Sequence, residues 1–455
     1  MTNLKHARFL LKYSPFFLVF LFVWLSRILW IGLYGVDVPF WDQWDAQASD
    51  LFLPIVRGDF KVSRLFAQHN EHRIFFTRIF SISLFKILGY WNTVFEMQVQ
   101  SMIPAITAGL ISYWFSLKRS SLFISVGIAF YFAAPLGTEN LFLGMESNFY
   151  FMILFSLLAI VSYSKIEEGY FYFFLTLFFS ISAYFTLSSG AIVSMVITFF
   201  CILKLVLKQG RSSKANILVS ILFLIIFLIE ILTIVPVPGH QGLRANRPDT
   251  FFRGLQIYLA WPFFKSISLG FLFHVVGLSS LVYIVFKKKE KLKEPAFLSF
   301  FAFLVWIYAQ ILVLVYARGG DGNSTDIANR YLDILYLTPI FLFYIVLSFI
   351  ETRVNRIKYV EYGFAILCFI FFFRIAKDGH LERVRLQLEK EHMLAVIVKA
   401  KQMEINKSGS SLVYLQARTP AVDLPYPDPK RLHMLLTDPN FDRIYPKLRL
   451  LYRKD

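Results

Sequence analysis

The sequence predicts an all-α polytopic membrane protein of about eleven transmembrane helices, judged by its apolar runs long enough to span a bilayer. Interfacial helices are expected in a long first outer loop, with a small C-terminal segment on the same outer side. Two observations carry this reading. Of the 455 residues, 57% are hydrophobic and 52 are Phe, well beyond the apolar share of an ordinary soluble domain. Lys and Arg, moreover, gather in alternate short loops, as they do on the cytoplasmic side of membrane proteins.

Runs of roughly 17–25 apolar residues cross a bilayer as helices. Such runs lie near 15–35, 93–116, 121–136, 149–164, 170–187, 190–208, 216–235, 265–286, 296–317, 331–350 and 358–374. They lack the period-2 alternation of a lipid-facing barrel strand, so a helix is the structure that satisfies its own backbone in hydrocarbon. With the N-terminus inside, the inner loops receive Lys165, the Lys204 to Lys214 cluster with Arg211, the "KKKEKLK" run at 287–293 and Arg353. The loops around 137–148 and 188–190 carry no Lys or Arg. An odd number of spans then puts the C-terminal tail outside.

The formal charge of +17 is accounted for by this topology and by attraction to anionic headgroups, without a nucleic-acid partner. The first apolar run is too long for the core of a cleaved signal, and "GLYGVDVPF" lacks a small-residue cleavage site, so the first span is expected to stay as an anchor. Cys201 and Cys368 both fall inside predicted spans, where core packing is expected in place of a disulfide or a thiolate metal site. The chain divides into a transmembrane domain, 1–375, and a C-terminal cap, 376–455. The outer face collects four loops, 36–92, 137–148, 236–264 and 318–330, together with that cap. No internal repeat of fixed period is present, which weighs against an inverted-repeat transporter.

The first outer loop opens with "VPFWDQWD". Asp42 and Asp45 share a face if a helix begins there, and Asp42 is then placed to cap it. The ordinary reading is an aromatic belt with polar caps; the sharper one is a catalytic base or a substrate clamp. Farther along comes "QHNEHR", which sets His69, Asn70, Glu71, His72 and Arg73 in a row before an apolar stretch. Read as a helix start, it puts His69 and Arg73 on one face and turns Glu71 away. Capping and surface ion pairs are the ordinary use of such a cluster. Metal ligation by His69 and His72 with an Asp is chemically open, but no zinc spacing is matched. The segment 74–91 carries Arg78 and Lys86 and follows Arg73, so it suits an interfacial helix better than a span.

The other outer loops add ionisable groups. "GTENLFLGMESN" holds Glu139 and Glu146 between glycines that permit a re-entrant turn, and "RGGDGNSTDIANR" holds Arg318, Asp321, Asp326 and Arg330. An arginine at the outer rim suits a lipid-linked phosphate as a bidentate partner, while snorkelling is its ordinary explanation. Snorkelling is also expected for Arg27 and Glu230, which sit toward the outer halves of their spans.

An uncleaved first span, a long first loop that opens with acids, about eleven spans and a tail on the same face together resemble the GT-C class of glycosyltransferases. In layout the resemblance covers the whole chain. In motif it rests on "WDQWD" and "HNEHR", and more weakly on "TENLFLGMES" and "ANRYLD". The acidic pair of several GT-C families is here spaced Asp-Gln-Trp-Asp, which leaves the choice of base among Asp42, Asp45 and Glu71 open.

The resemblance implies a multi-pass enzyme of a bacterial inner or plasma membrane with an extracytoplasmic active site. Its donor would be a polyprenyl-phosphate-linked sugar and its acceptor a cell-envelope glycan, lipid or protein. His69, Asn70, His72, Arg73, Glu139, Glu146, Arg318 and Arg330 would bind substrate. Such transfer needs a carboxylate to take the acceptor's proton. It also needs Arg, Lys or a bound divalent metal to offset charge on the leaving phosphate; the sequence names no cofactor. An O-antigen-type polymerase or ligase, a lipid-linked glycan transporter or flippase, and a non-enzymatic scaffold are the other readings. The polymerase keeps its chemistry in a large later loop, whereas here the ionisable density is in the first.

In the cap, "LERVRLQLEKEHMLAVIVKAKQMEI" has helical periodicity. The stretch "TPAVDLPYPDPKRLHMLLTDPNFDRIYPKLR" is too rich in Pro for long helices.

Overall fold

A computed structural model describes residues 2–118, 121–208, 213–262, 267–320, 327–350 and 354–452. Arg211, Asp321, Asp326 and Arg353 lie outside them. Among the described residues the chain is a helical bundle, and nine helices are long and apolar enough to cross a membrane. They are Tyr13–Tyr34, Thr93–Leu117, Gly144–Ser164, Ser188–Val206, Lys214–Leu232, Ile267–Lys287, Pro295–Arg318, Asn329–Ile350 and Ile357–Asp378. Most residues of Pro295–Arg318 are buried inside the bundle, whereas few of Lys214–Leu232 are and its Leu and Ile side chains turn outward. A helix apolar all round tolerates either position, since lipid is as apolar as the bundle core. The charged residues did not snorkel outward as expected. Arg27 and Glu230 are 3% and 4% exposed. The Arg27 guanidinium donates to Tyr150 Oη inside the bundle.

The two remaining runs form shorter helices, Leu122–Ala133 and Tyr170–Tyr184. At 1.5 Å per residue they measure only about 18 and 22 Å. Each nonetheless joins opposite ends of the bundle. Helix Ser147–Ser164 begins where Ser147 Oγ donates to Thr77 Oγ1 at 3.0 Å, and beyond its far end Glu167 accepts from Lys204 Nζ at 3.1 Å. Tyr170–Tyr184 then runs back, so that Phe185 C=O receives Phe75 N–H at 3.0 Å beside the first loop. Leu122–Ala133 likewise starts where Ser121 Oγ donates to Glu361 at 2.7 Å, and it ends where Trp30 Nε1 donates to Ala133 C=O at 3.1 Å. One end of the bundle is thus basic, around Lys165, Lys204 and 287–293; the other carries the long loops.

At the loop-rich end, the segment 36–92 and the C-terminal tail build one apolar core in common. Trp44, Leu51, Phe52, Phe85 and Trp91 pack with Ile397, Leu415, Leu432, Phe441, Ile444 and Tyr445. Trp44 stacks on Phe441 with ring centroids 5.6 Å apart. Asp37 seals one edge, accepting from Thr93 N–H at 2.9 Å and from Lys447 Nζ at 3.3 Å. The tail consists of one long helix, His380–Asn406, and short ones such as Pro429–Thr437, which Asp428 caps. Prolines limit the helices there.

Because neither half of this core closes alone, damage to one half should loosen the other. Trp44→Ala and Phe441→Ala are each expected to lower stability by about 3–5 kcal/mol, the usual cost of emptying an aromatic core site. Melting in detergent measures this, and limited proteolysis should open new cuts in the tail of Trp44→Ala and in 36–92 of Phe441→Ala. Unchanged protection of the opposite half would show that the two are held independently.

Candidate functional site

Asp42 is reached through a backbone irregularity. Trp41 adopts φ +47°, a left-handed conformation costing about 1–3 kcal/mol in a bulky residue. Its N–H donates to Pro425 C=O of the tail at 2.7 Å. Helical structure begins only after this, with i→i+5 bonding over Trp44–Phe52, a form that gathers at functional sites. The Asp42 carboxylate therefore caps nothing. It accepts from His69 Nε2 at 3.1 Å and, more weakly, from Asn70 Nδ2 at 3.5 Å. The His69 hydrogen bond outweighs burial and, with the charges of His69 and Arg330, holds the Asp42 carboxyl below its ordinary range.

Asp45 faces elsewhere. Tyr426 Oη donates to it at 2.5 Å and Arg431 Nε at 2.6 Å. The two acids do not act on a common partner: Asp42 goes to His69 and Asn70, Asp45 to Tyr426 and Arg431. Asp45 ties the loop to the tail, while Asp42 points into the loops.

The "HNEH" residues form a tight turn and not the start of a helix. His69 and His72 exchange backbone hydrogen bonds of 2.8 and 2.9 Å, with Asn70 at φ +50°, a conformation Asn tolerates. The helix is delayed to Phe75–Leu88. Glu71, expected to turn away, reaches across to the loop near 240, where His240 Nδ1 lies 2.5 Å from its Oε1. Its Oε2 is buried and unpartnered among the described residues. Burial raises the Glu71 pKa, but hydrogen bonds from His240 and the backbone and nearby imidazole charge outweigh it, and the net shift is downward. His72 Nδ1 accepts from Ser188 N–H at 3.3 Å, while the Ser188 hydroxyl donates to Glu71 C=O. This pattern assigns the imidazole proton to Nε2. Burial pushes the His72 pKa down to about 4. Arg73 turns back into its own loop and donates to Phe66 C=O at 3.0 Å.

Two further loops close on Asp42. Gly137 has φ +61°, and a Cβ there would lie 2.6 Å from Asp333 Oδ2, so only glycine fits. Asn140 Nδ2 donates to Asp333 Oδ2 at 2.7 Å and to Arg330 C=O at 2.8 Å, which brings 137–146 against Arg330. Arg330 Nε lies 3.5 Å from Glu139, each side chain 45% exposed. An exposed pair of this kind is worth about 0–1 kcal/mol and yields readily to a ligand. The Glu146 side chain has no hydrogen-bond partner among the described residues, yet it shares its electrostatic surroundings with Arg330, Glu139, Asp42 and His69. Arg318 donates from Nε to Tyr331 Oη at 3.0 Å and influences His72 electrostatically.

Asp42, His69, Asn70, Glu139, Glu146 and Arg330 thus come together from three loops. Glu71, His72 and Arg318 form a neighbouring group with His240, and Asp45 and Arg73 stand apart in structural contacts. Sequence reasoning missed His240, Ser188, Tyr426 and Arg431, whose partners lie more than a hundred residues away. The lone His of loop 236–264 was the one available signal. Among the described residues no group of three or more His, Cys, Asp or Glu is arranged to hold a metal. Chemically, the site offers an ionised carboxylate bonded to imidazole, two further acids and a half-exposed arginine, Arg330. No protein-family model, curated protein or solved structure matches the chain.

The His72 environment predicts a pH dependence. Its folded pKa of about 4 lies below the ordinary 6.5, so the unfolded chain binds the extra proton first and stability falls as pH drops from 6.5 toward 4. Asp42 adds to acid sensitivity below that window, because a depressed carboxylate loses its contribution as pH falls through its folded pKa. His72→Gln should flatten the melting-temperature slope between pH 6.5 and 4; an unchanged slope would mean that His72 is not held neutral.

Proposed function

We propose that the chain is a GT-C-type glycosyltransferase moving a sugar from a polyprenyl-phosphate donor to a cell-envelope glycan, lipid or protein acceptor. In this reading the chain crosses the membrane eleven times, counting the helices of TM length and the two short ones. The N-terminus is inside, and the loop-rich end and tail face the extracytoplasmic side. The helix Phe75–Leu88 lies along the interface.

The observation that carries the proposal is the convergence of three chain-distant loops on Asp42. An ionised carboxylate bonded to His69 stands beside an exposed Arg330 and two more acids at the mouth of a membrane bundle. Asp42 takes the acceptor hydroxyl's proton as the oxygen attacks the sugar's anomeric carbon, and the bond to phosphate breaks with its electron pair. Arginine offsets the charge left on phosphate. Glu139 and Glu146 are placed to accept from sugar hydroxyls. Glu71 is the rival base, and Asp45, already held by Tyr426 and Arg431, serves as the tether. A lipid-linked glycan transporter is the second reading, favoured by the buried Arg27 and Asp333 within the bundle.

Asp42→Asn keeps the shape and removes the basicity, so transfer by the purified protein should fall by about 10²–10⁴-fold with the protein still folded. Near wild-type transfer would assign the base elsewhere, and Glu71→Gln measured alongside tests the rival. Arg330→Lys should still impair transfer, because the planar fork is lost; full activity would remove Arg330 from the site. A reporter active only in the cytoplasm, fused after Asp455, should stay silent, and a strong signal there would overturn the topology.

A further inference from the structure

The "HNEH" turn carries two carboxylate–imidazole pairs, one on each flank: Asp42 with His69, and Glu71 with His240. The proposed chemistry uses the first pair and leaves the second unexplained. His240 is held by more than its partner. The backbone of its loop is pinned where Ala245 N–H donates to Tyr316 C=O at 2.8 Å and Gly320 N–H to Leu243 C=O at 2.9 Å. Gln68 Nε2 donates to Val235 C=O at 3.1 Å on the near side. With Nδ1 on Glu71, the His240 Nε2 has no partner among the described residues and is free to meet a ligand. The His72 Nε2–H is likewise unused, since Ser188 occupies Nδ1. Arg318 supplies a full cation close enough to influence His72. Two donors, the His72 Nε2–H and the permanently charged Arg318, therefore stand on one flank of the turn with the His240 imidazole, which donates from Nε2 when it carries both protons beside Glu71, while the other flank holds the acids Asp42 and Glu139 with Arg330.

We infer that His240, His72 and Arg318 are the ligands of the donor's phosphate, with Glu71 a positioning residue that orients His240. The inference rests on the glycosyltransferase reading and divides its site into a phosphate flank and a sugar-and-acceptor flank. The spacing suits that division. His69 and His72 sit directly opposite in an antiparallel pair, so their side chains share a face with Cα atoms about 5.5 Å apart, within the span of a sugar joined to its phosphate. A lipid phosphate is favoured over a free one by location. Arg318 ends a membrane-length helix, and the loop of His240 leads into helix Pro248–Ala260, whose Phe252 is exposed. When the sugar's bond to phosphate breaks, these donors meet the negative charge while Asp42 on the opposite flank holds the acceptor's proton.

The test is binding of decaprenyl phosphate, decaprenol and inorganic phosphate to the purified full-length protein, without any transfer assay. Wild type should prefer decaprenyl phosphate over decaprenol by about tenfold or more, as charge-assisted hydrogen bonds do. His240→Phe should lose most of that preference with decaprenol binding unchanged, and Arg385→Gln, at an exposed position of the tail helix His380–Asn406, should lose none. If His240→Phe melts well below wild type, His240→Gln replaces it and should lose part of the preference. A wild type that does not distinguish the phosphate from the alcohol would defeat the glycosyltransferase reading itself. A wild type that does, with the preference intact in the His240 variants, would overturn this inference alone. Inorganic phosphate binding as tightly as the lipid form would overturn the lipid assignment.

Discussion

The stacking of Trp44 on Phe441, inside a core that the first long loop shares with the tail, is the constraint on which the candidate site depends. It fixes where the chain leaves the first helix, and the Asp45 contacts with Tyr426 and Arg431 fix how it rotates there. With Asp45 committed to the tail and Trp41 bent into a left-handed conformation, Asp42 has only the inward direction left. The tail is therefore no appendage: residues near the C-terminus decide where an acid near residue 40 points.

Beneath the loops a second layer of polar groups holds them to the bundle. Gln43 donates to Gln47 at 2.8 Å; Gln47 and Ser81 each donate to Glu96 at 2.6 Å. A buried carboxylate needs such donors to offset lost hydration. Gly144 passes so close to Glu96 that a Cβ would approach it to 2.7 Å, which brings the Glu139–Glu146 loop down onto the same group. Asp333 plays the matching part on the other side through Asn140. The floor is buried and tied together by these bonds, with Glu96 Oε2 and Asn140 Oδ1 left without a partner among the described residues, whereas the ion pair above it, Arg330 with Glu139, is half-exposed.

The two halves of the "HNEH" turn show how a short sequence reaches several partners. Alternate residues of a tight turn face different neighbours, so His69 and Asn70 go to Asp42, Glu71 to His240 and His72 to Ser188. Imidazole keeps each carboxylate below its ordinary pKa against the opposing effect of burial. The environment of His72, by contrast, keeps it neutral.

The sequence by itself determined the class and the placement of the membrane-length helices, because transfer into lipid depends on the local composition of a stretch about twenty residues long. It also located the cluster from His69 to Arg73 in a loop between membrane-length helices. Its reading of direction was weaker. It placed Asp42 and Asp45 on one face and began a helix at His69, where the structure has an acid pointing each way and a tight turn. It sent Arg27 and Glu230 outward, where both are enclosed. Only the tertiary structure decided that Glu71 meets His240 and that Asp45 meets Arg431, 169 and 386 positions apart. Pairings of that separation follow from how helices and the shared core pack, and no local pattern of hydropathy or propensity encodes them.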